Sequence, residues 1–311
     1  MRRFLIWSSR VLASLLGLAP LGAAYESVSE AADARAYPPP GQMVDVGGYR
    51  LHINCVGTGS PTVVIESGLG DWSASWSNAV QPAAANTTRV CTYDRAGMGY
   101  SQPGPMPRTA ARFAEELHRL LQRADIPGPY VLAGHSLGGY TVRLFAAAYP
   151  ADVAGVVLID STTPGAGAQG QAPTSRGWSS IATLPARIGL QRLLAGPLDL
   201  KAGLAPEIAG PYVANSVTPR SAQTGVDEFL GASEGAAQAG AVTNLGELPL
   251  IVLSRAPNRD LDWDRKQTDL LGLSSKSHQL FAEHSGHMIH LEEPEAAVNA
   301  LLQMVEQVRG Q

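Results

Sequence analysis

The sequence predicts an α/β fold in which helices flank a mostly parallel sheet, and three observations predict it. Short, largely apolar runs such as Thr62–Glu66 and Val153–Ile159 suit the buried strands of a parallel sheet. Stretches of helical periodicity lie between such runs, as at 108–123, where Phe113, Leu117 and Leu121 share one face. The 311 residues are enough for one large domain with an insertion.

Composition narrows the possible partners. The net charge is −4, and 16% of the residues are charged against 45% hydrophobic, which is ordinary for a globular enzyme. The sequence has no basic cluster beyond its first residues, so nucleic acid is not an expected partner.

The N-terminal residues 1–24 are typical of a targeting segment. Met1-Arg2-Arg3 supplies positive charge, an apolar stretch follows, and Gly22-Ala23-Ala24 offers small residues for a signal peptidase. The alternative is an uncleaved membrane anchor, because Phe4 to Tyr25 is long enough to span a bilayer, although Arg10 interrupts it. Both alternatives predict an extracytoplasmic domain that is periplasmic, secreted or membrane-anchored.

Residues 25–41 are predicted to form a stalk or linker. Glu26 to Arg35 suits a short polar helix, and Pro38-Pro39-Pro40-Gly41 favours an extended segment after it. We therefore expect the folded domain to begin at Gln42.

Eight strands follow along the chain. The first two form an antiparallel hairpin at a sheet edge, because Asp45-Val46-Gly47-Gly48 is a turn sequence. A final helix begins at Pro294. The predicted strands are Met43–Val46, Tyr49–Val56, Thr62–Glu66, Arg89–Tyr93, Tyr130–Ala133, Val153–Ile159, Leu250–Ser254 and His278–Ala282.

A nucleophile elbow is predicted where the fifth strand meets the next helix. The motif Gly134-His135-Ser136-Leu137-Gly138 lies between that strand and a helix predicted over Tyr140–Tyr149. Gly134 and Gly138 remove side chains that would collide in so sharp a turn, and Ser136 then stands at the carboxyl end of the sheet. The alternative interpretation is a glycine-rich turn whose serine has no chemical role.

Together these features resemble the α/β-hydrolase fold family, in its serine esterase and lipase-like branch. The resemblance runs from Gln42 to the C-terminus and implies a core of residues 42–160 and 248–311. It also implies a helical lid, residues 161–247, inserted between strands 6 and 7, and no cofactor. The motifs that carry the resemblance are Glu66–Asp71, Tyr93–Ser101, the Ser136 elbow and Ser285-Gly286-His287.

The resemblance also assigns catalytic roles. Ser136 is the implied nucleophile, and His287 the implied base, since it follows the last strand and a Ser-Gly pair. The backbone N–H groups of Leu69 and Leu137 are the implied oxyanion donors, whereas the Asp94-Arg95 pair is expected to be structural. A metal site at the regularly spaced His284, His287 and His290 is the weaker alternative, because no carboxylates flank them in a helical frame.

The acid that orients His287 has two candidates. In the family it follows one of two neighbouring strands. After Leu250–Ser254 the usual Gly-x-x-Asp spacing is lost, Asn258 stands near the expected position, and Asp260 comes later. Asp160 directly follows the preceding strand, where it would be held more rigidly. We favour Asp160 and keep Asp260 as the alternative, noting that an aspartate at position 160 also has a purely structural interpretation.

The sequence leaves the roles of several further side chains undecided. Cys55 and Cys91 lie on strands that this fold makes neighbours, so they form either a disulfide or two buried thiols. The lid contains the glycine-rich stretch Gly165–Gly170 and amphipathic pieces at Ile181–Leu194 and Val226–Leu230. Four large side chains line a substrate pocket or belong to the core: Trp72, Trp76, Met98 and Trp178.

The predicted function is hydrolysis of a small-molecule carboxylic ester through an acyl-enzyme intermediate. An amidase or aminopeptidase is the alternative, for which a lid carboxylate at Glu207, Asp227 or Glu228 would recognise a free amine. A non-catalytic binding module is a further alternative, which the intact serine, histidine and acid disfavour. An aspartate nucleophile, as in epoxide hydrolases and haloalkane dehalogenases, is disfavoured because the elbow carries serine.

Overall fold

A single eight-stranded sheet organises the molecule. A computed structural model describes residues 2–164, 181–200, 202–256 and 260–310. The sheet order is β1-β2-β4-β3-β5-β6-β7-β8, with antiparallel pairing of β2 to β1 and β4 and parallel pairing elsewhere. The predicted fold class is thereby confirmed. The strands are β1 Gln42–Asp45, β2 Arg50–Val56, β3 Thr62–Glu66, β4 Val90–Tyr93, β5 Tyr130–His135, β6 Val153–Ile159, β7 Leu250–Ser254 and β8 Ser277–Phe281.

The predicted edge hairpin is present between β1 and β2. The Asp45 carboxylate accepts hydrogen bonds from the N–H groups of Gly47, at 2.7 Å, and Gly48, at 3.0 Å. Both glycines have positive φ, at 123° and 97°, a conformation that other residues rarely adopt. The turn sequence therefore sets the register of the hairpin.

Helices flank both faces of the sheet. Four are used below under fixed names: the N-terminal helix (Arg2–Ala36), the elbow helix (Gly138–Ala148), the long lid helix (Pro219–Gly240) and the C-terminal helix (Pro294–Arg309). The other described α-helices are Ser73–Ser77, Val80–Ala84, Ala110–Arg123, Leu184–Arg187, Leu190–Leu194, Pro206–Ser216, Leu261–Asp269 and Ile289–Glu292.

Apolar side chains fill both sides of the sheet. On one side Leu117 and Leu121 of helix Ala110–Arg123 pack with Phe145 of the elbow helix. On the other side Leu301 and Val305 of the C-terminal helix pack against the sheet. All five side chains are fully buried, and burying one of this size contributes about 1.5–3 kcal/mol. This core holds the strand ends on which the functional side chains stand.

Most of the segment predicted as a stalk belongs to the N-terminal helix. This helix continues unbroken to Ala36 instead of starting near Glu26, and it packs on the lid. Arg192 of the lid makes ion pairs with Glu26 at 2.8 Å and with Asp33 at 2.5 Å. Two side chains of the predicted stalk are thus joined to the lid. Among the helices that the structure describes, none combines the length and apolar composition needed to cross a bilayer.

The two cysteines form a disulfide. Cys55 of β2 and Cys91 of β4 are directly opposite each other in the antiparallel pair, with their Cα atoms 4.0 Å apart. Of the two alternatives for this pair, the structure shows the disulfide.

The described part of the segment between β6 and β7 is helical. Its long lid helix packs against helix Ala110–Arg123 and against the elbow helix. Arg143 of the elbow helix donates hydrogen bonds to the carbonyl groups of Ala239 and Val242, each at 2.9 Å, at the end of the long lid helix. Gly165–Gly170 and Trp178 lie outside the described residues.

Candidate active site

Ser136 occupies a sharp turn between β5 and the elbow helix. Its backbone has φ of 51°, in the left-handed region that a serine rarely occupies. A Cβ atom added to Gly134 would lie 2.7 Å from the carbonyl oxygen of Gly138. One added to Gly138 would lie 2.7 Å from the carbonyl oxygens of Glu66 and Ser67. Any side chain at either position would therefore force the backbone apart at this turn.

The structure joins Ser136, His287 and Asp160 in one hydrogen-bonded chain. His287 Nδ1 lies 2.5 Å from Asp160 Oδ2, and His287 Nε2 lies 2.9 Å from Ser136 Oγ. A carboxylate only accepts hydrogen bonds, so the His287 proton resides on Nδ1. Nε2 is then left as an acceptor that faces the serine hydroxyl. This tautomer is the one that removes a proton from serine.

Asp160 is held from several directions at the end of β6. Its side chain is fully buried, and its own N–H donates to the carbonyl group of Leu253 at 2.7 Å. Oδ1 accepts hydrogen bonds from the Trp263 indole at 2.7 Å and from the Arg255 backbone N–H at 3.3 Å. These donors leave Oδ2 directed at His287 and compensate for the burial of the carboxylate. Trp263 is a functional contact that the sequence pattern did not reveal.

Asp260, the alternative acid, has a different position. Its carboxylate caps the helix Leu261–Asp269, where it accepts hydrogen bonds from the N–H groups of Asp262, at 3.2 Å, and Trp263, at 3.1 Å. Among the described residues Asp260 forms no hydrogen bond or ion pair with His287. Asn258, which stands near the position expected for the acid, lies outside the described residues. Of the two candidate acids, the structure brings only Asp160 to the histidine.

The two residues predicted to supply oxyanion donors belong to two segments that meet at the elbow. Leu137 directly follows the serine and precedes the first turn of the elbow helix. The loop that carries Leu69 touches the elbow, because a Cβ on Gly68 would lie 3.3 Å from the Cβ of Ser136. Within the described part of the chain, neither leucine N–H has a hydrogen-bond partner. The sequence missed one neighbour, since Thr162 Oγ1 lies 3.4 Å from Ser136 Oγ.

Two further histidines support the site from inside the protein. His135 Nε2 donates to the carbonyl group of His287 at 2.9 Å. Burial, together with the neighbouring His290 and His287, lowers the pKa of His135 well below its ordinary value, so this ring is neutral. His290 is fully buried and stacks on Trp76 at 4.2 Å. The described residues contain no group of three or more His, Cys, Asp or Glu side chains that could hold a metal ion.

Three of the four predicted pocket residues belong to packed interiors. Trp72, Trp76 and Met98 are each no more than 2% exposed. Trp72 also stacks on Tyr212 of the lid, with ring centroids 5.7 Å apart. They therefore fit the alternative of core residues, whereas Trp178 is beyond the described part of the chain.

Comparison with known proteins agrees with this architecture. A family model described as the alpha/beta hydrolase fold matches residues 61–178. The uncharacterized protein YqjL of Bacillus subtilis is 27% identical over 246 residues, which are 76% of this chain and 81% of that protein. The probable transporter efuK of Hormonema carpetanum is 35% identical over 39% of this chain. This chain spans only 18% of that protein's length.

Solved structures share the fold over most of the chain. A thermophilic esterase from Thermogutta terrifontis has a TM-score of 0.63 at 20% identity, covering 86% of this chain and 98% of that one. The epoxide hydrolase CorEH has a TM-score of 0.65 at 18% identity, with the same two coverages. At such identities the likeness shows the fold alone.

Proposed function

We propose that this chain, which belongs to the α/β-hydrolase fold family, is a serine hydrolase that cleaves carboxylic esters through an acyl-enzyme intermediate. One observation carries the proposal. The hydrogen bonds from Ser136 to His287 and from His287 to Asp160 link a nucleophile, a base and an orienting acid in the order that acyl transfer requires.

In the first half of the reaction Ser136 Oγ attacks the ester carbonyl carbon. His287 Nε2 takes the serine proton, and the buried Asp160 carboxylate stabilises the resulting imidazolium. The negative charge that forms on the carbonyl oxygen is held by the N–H groups of Leu69 and Leu137. As the tetrahedral intermediate collapses, His287 gives its proton to the departing alcohol and the acyl group remains on Ser136.

In the second half water takes the place of the alcohol. His287 removes a proton from the water, whose oxygen attacks the acyl carbon and re-forms the tetrahedral intermediate. Collapse breaks the bond to Ser136 Oγ, which recovers its proton from His287. The carboxylic acid product leaves, and the enzyme returns to its starting state.

The residue at the elbow argues against an epoxide hydrolase with an aspartate nucleophile. Such an enzyme attacks with a carboxylate, and its alkyl-enzyme is an ester that water then cleaves. The elbow of this chain carries Ser136, so attack on an epoxide would give an ether that this site cannot hydrolyse. The likeness to the epoxide hydrolase CorEH therefore supports the shared fold and does not support epoxide hydrolysis by this chain.

The amine-binding carboxylate of the aminopeptidase alternative finds little support. Glu228 is fully buried and bound to Arg95, so it is not free to receive an amine. Asp227 accepts a hydrogen bond from Gln223, and Glu207 lies exposed in the first turn of helix Pro206–Ser216. No observation favours amide over ester substrates.

Hydrolysis of a series of p-nitrophenyl esters, from short to long acyl chains, tests the proposal. We expect turnover by the wild type and a loss of about 10⁶-fold in kcat for Ser136→Ala, with thermal unfolding unchanged. A fluorophosphonate probe should label the wild type and not the variant. Equal hydrolysis by both proteins, or ester turnover without labelling, would contradict a serine nucleophile.

We also propose that the domain works outside the cytoplasm. The basic start, the apolar stretch after it and the Cys55–Cys91 disulfide support this location. Cell fractionation combined with thiol labelling under denaturing conditions tests it. Recovery of the protein from the cytoplasm with both thiols reactive would count against export.

A further inference from the structure

A buried arginine lies beneath the loop that carries Leu69. Arg95 Nη1 donates to the carbonyl group of Ser67 at 2.7 Å, and Nη2 donates to that of Gly68 at 2.6 Å. Nη1 also forms an ion pair with Glu66 at 2.7 Å. The arginine side chain is only 2% exposed. One guanidinium therefore fixes two consecutive carbonyl groups of the loop.

The lid supplies the group that holds this arginine. Glu228 of the long lid helix binds Arg95 in a two-pronged pair, with Oε1 accepting from Nε at 2.7 Å and Oε2 from Nη2 at 2.9 Å. Oε2 also accepts a hydrogen bond from the N–H of Gly70 at 3.0 Å. The Glu228 side chain is completely buried. Glu228 therefore binds both Arg95, which lies beneath the loop, and the backbone of Gly70, the residue that follows Leu69.

The geometry of the peptide bond carries these contacts to the oxyanion donor. The carbonyl group of Gly68 and the N–H of Leu69 belong to one planar peptide unit, and in a trans peptide they point in opposite directions. Holding the Gly68 carbonyl oxygen against Arg95 therefore sets the direction of the Leu69 N–H. The Gly70 N–H is held by Glu228, so the loop is fixed on both sides of Leu69.

The charges of Glu66, Arg95 and Glu228 stabilise these buried contacts with the loop of Leu69. Burial lowers the pKa of Arg95, but Glu228 and Glu66 raise it to a value well above the ordinary one. The guanidinium stays charged, so all its N–H donors are retained. The Tyr93 O–H donates a hydrogen bond to Oε2 of Glu66, the carboxylate oxygen that Arg95 does not bind.

We propose that Glu228 is a positioning residue that sets the oxyanion hole from the lid. It holds Arg95 and the Gly70 N–H, and through them it aims the Leu69 N–H at the carbonyl oxygen of the substrate. The proposal rests on the serine-hydrolase function above. It also extends the role expected for the Asp94-Arg95 pair, in which Asp94 remains structural through its bonds to His52 and Ser73.

A second buried ion pair offers a matched control. Arg108 and Glu116 form a two-pronged pair with distances of 2.7 and 2.8 Å, and their side chains are 2% and 3% exposed. Glu116 also accepts a hydrogen bond from a tyrosine, Tyr49, as Glu66 does from Tyr93. Within the described residues, neither side chain of the control pair forms a hydrogen bond or ion pair with the loop of Leu69. Glu116→Gln therefore removes a buried charge without touching the oxyanion donor.

The experiment compares Glu228→Gln and Glu116→Gln with the wild type in three measurements. These are kcat and KM on a p-nitrophenyl ester, affinity for a trifluoromethyl ketone of the same acyl chain, and affinity for the matching unreactive secondary alcohol. The ketone forms an oxyanion on Ser136, whereas the alcohol occupies the site without one. Removal of one oxyanion donor costs about 10²–10³-fold in kcat, so its misalignment should cost about 10- to 100-fold.

We expect Glu228→Gln to lower kcat and ketone affinity together while KM and alcohol affinity stay nearly constant, because only the oxyanion is affected. Glu116→Gln should leave all these values close to wild type, even if it lowers the thermal stability. If Glu228→Gln does not fold at the assay temperature, Glu228→Asp, which keeps the charge but withdraws it by one methylene, allows the same comparison.

Two results would overturn the inference. One is a Glu228 variant whose ketone affinity is unchanged, and the other is an equal loss in the Glu116 control. Failure of the proposed function has a different signature, because the wild type itself would then show neither ester turnover nor fluorophosphonate labelling. That result would remove both the function and the inference, whereas an active wild type with an unaffected Glu228 variant would remove the inference alone.

Discussion

The loops that follow β6 and β7 each carry an aspartate, and the two aspartates share their neighbours. Trp263 donates its indole N–H to Asp160 and its backbone N–H to Asp260. The Arg255 guanidinium lies 4.0 Å from Asp160 and 3.6 Å from Asp260. Yet the side chain of Asp160 is fully buried and meets His287, whereas that of Asp260 is 53% exposed and caps a helix.

The difference comes from how each loop leaves the sheet. Asp160 directly follows the last residue of β6 and its N–H is still bonded to Leu253 of the neighbouring strand, so the sheet itself places it. Asp260 begins the helix Leu261–Asp269, away from the strand end. That helix carries Trp263, whose indole holds Asp160. One aspartate therefore contacts the histidine, and the other orders the segment that supports the first.

Among substitutions of the two aspartates and their shared neighbours, Asp160→Asn should cause the largest loss of activity. Trp263 and the Arg255 backbone donate to Oδ1, so the asparagine carbonyl oxygen would remain there and its NH₂ group would face His287. His287 Nδ1 would then have to accept, which places the ring proton on Nε2, toward Ser136. That tautomer does not remove a proton from serine, so kcat should fall by about 10⁴-fold.

The measurement is kcat on a p-nitrophenyl ester, with thermal unfolding as the control for folding. Asp260→Asn, measured in parallel, should stay close to the wild type. If Asp260→Asn alone lost activity, the contact between Asp160 and His287 would not be the catalytic one.

Trp263→Phe should have the next largest effect. It removes the indole donor from Asp160 but keeps an aromatic ring beside His287, which the indole contacts edge-on at 5.7 Å. A hydrogen bond to a charged group contributes about 1.5–3 kcal/mol, of which only a part changes during the reaction. We expect kcat to fall about tenfold, equivalent to about 1.4 kcal/mol, with KM nearly unchanged. A wild-type kcat would show that Asp160 is held without the indole.

Asp260→Ala should act on stability more than on catalysis. Loss of an N-cap side chain costs about 1 kcal/mol of helix or protein stability. The helix retains its packing, so kcat/KM should fall by less than about twofold, equivalent to about 0.4 kcal/mol. Denaturant unfolding and ester kinetics on the same preparations provide both values. A large catalytic loss at constant stability would contradict a capping role.

The smallest expected effect is an energetic coupling between Asp260 and Trp263, through which Asp260 would act on Asp160. If Asp260 supports Asp160 only by ordering the indole, then Asp260→Ala should lower kcat/KM in the wild type but not in the Trp263→Phe background. A double-mutant cycle on kcat/KM measures this coupling. Equal losses in both backgrounds would show that Asp260 acts by another route.

The elements of the fold could be predicted from local patterns. Interior strands of the parallel sheet such as β3 and β7 are largely apolar runs because both of their faces are buried, and the edge turn needs glycine because of its backbone conformation. The serine motif was recognisable because strand, turn and helix follow one another directly in the sequence. The His287 prediction depended on a short motif after the last strand, and the structure brings that ring to Ser136.

The contacts that select one candidate residue over another join residues that are far apart in the sequence. Asp160 and Trp263 are 103 positions apart, and Arg95 and Glu228 are 133 positions apart. Glu228 stands on a helix whose other residues give no sign of a partner beneath the loop of Leu69. Only the packing of the long lid helix against the core brings that carboxylate to the arginine.

The sequence by itself thus determined the strands, the elbow and the placement of Ser136 and His287 at the ends of their elements, because periodicity, glycine sterics and short motifs act within a few residues. The tertiary structure decided which aspartate meets His287, that Cys55 and Cys91 are joined, and that the lid reaches the loop of Leu69. These outcomes depend on distances and burial between distant segments, which exist only once the sheet and its layers have packed.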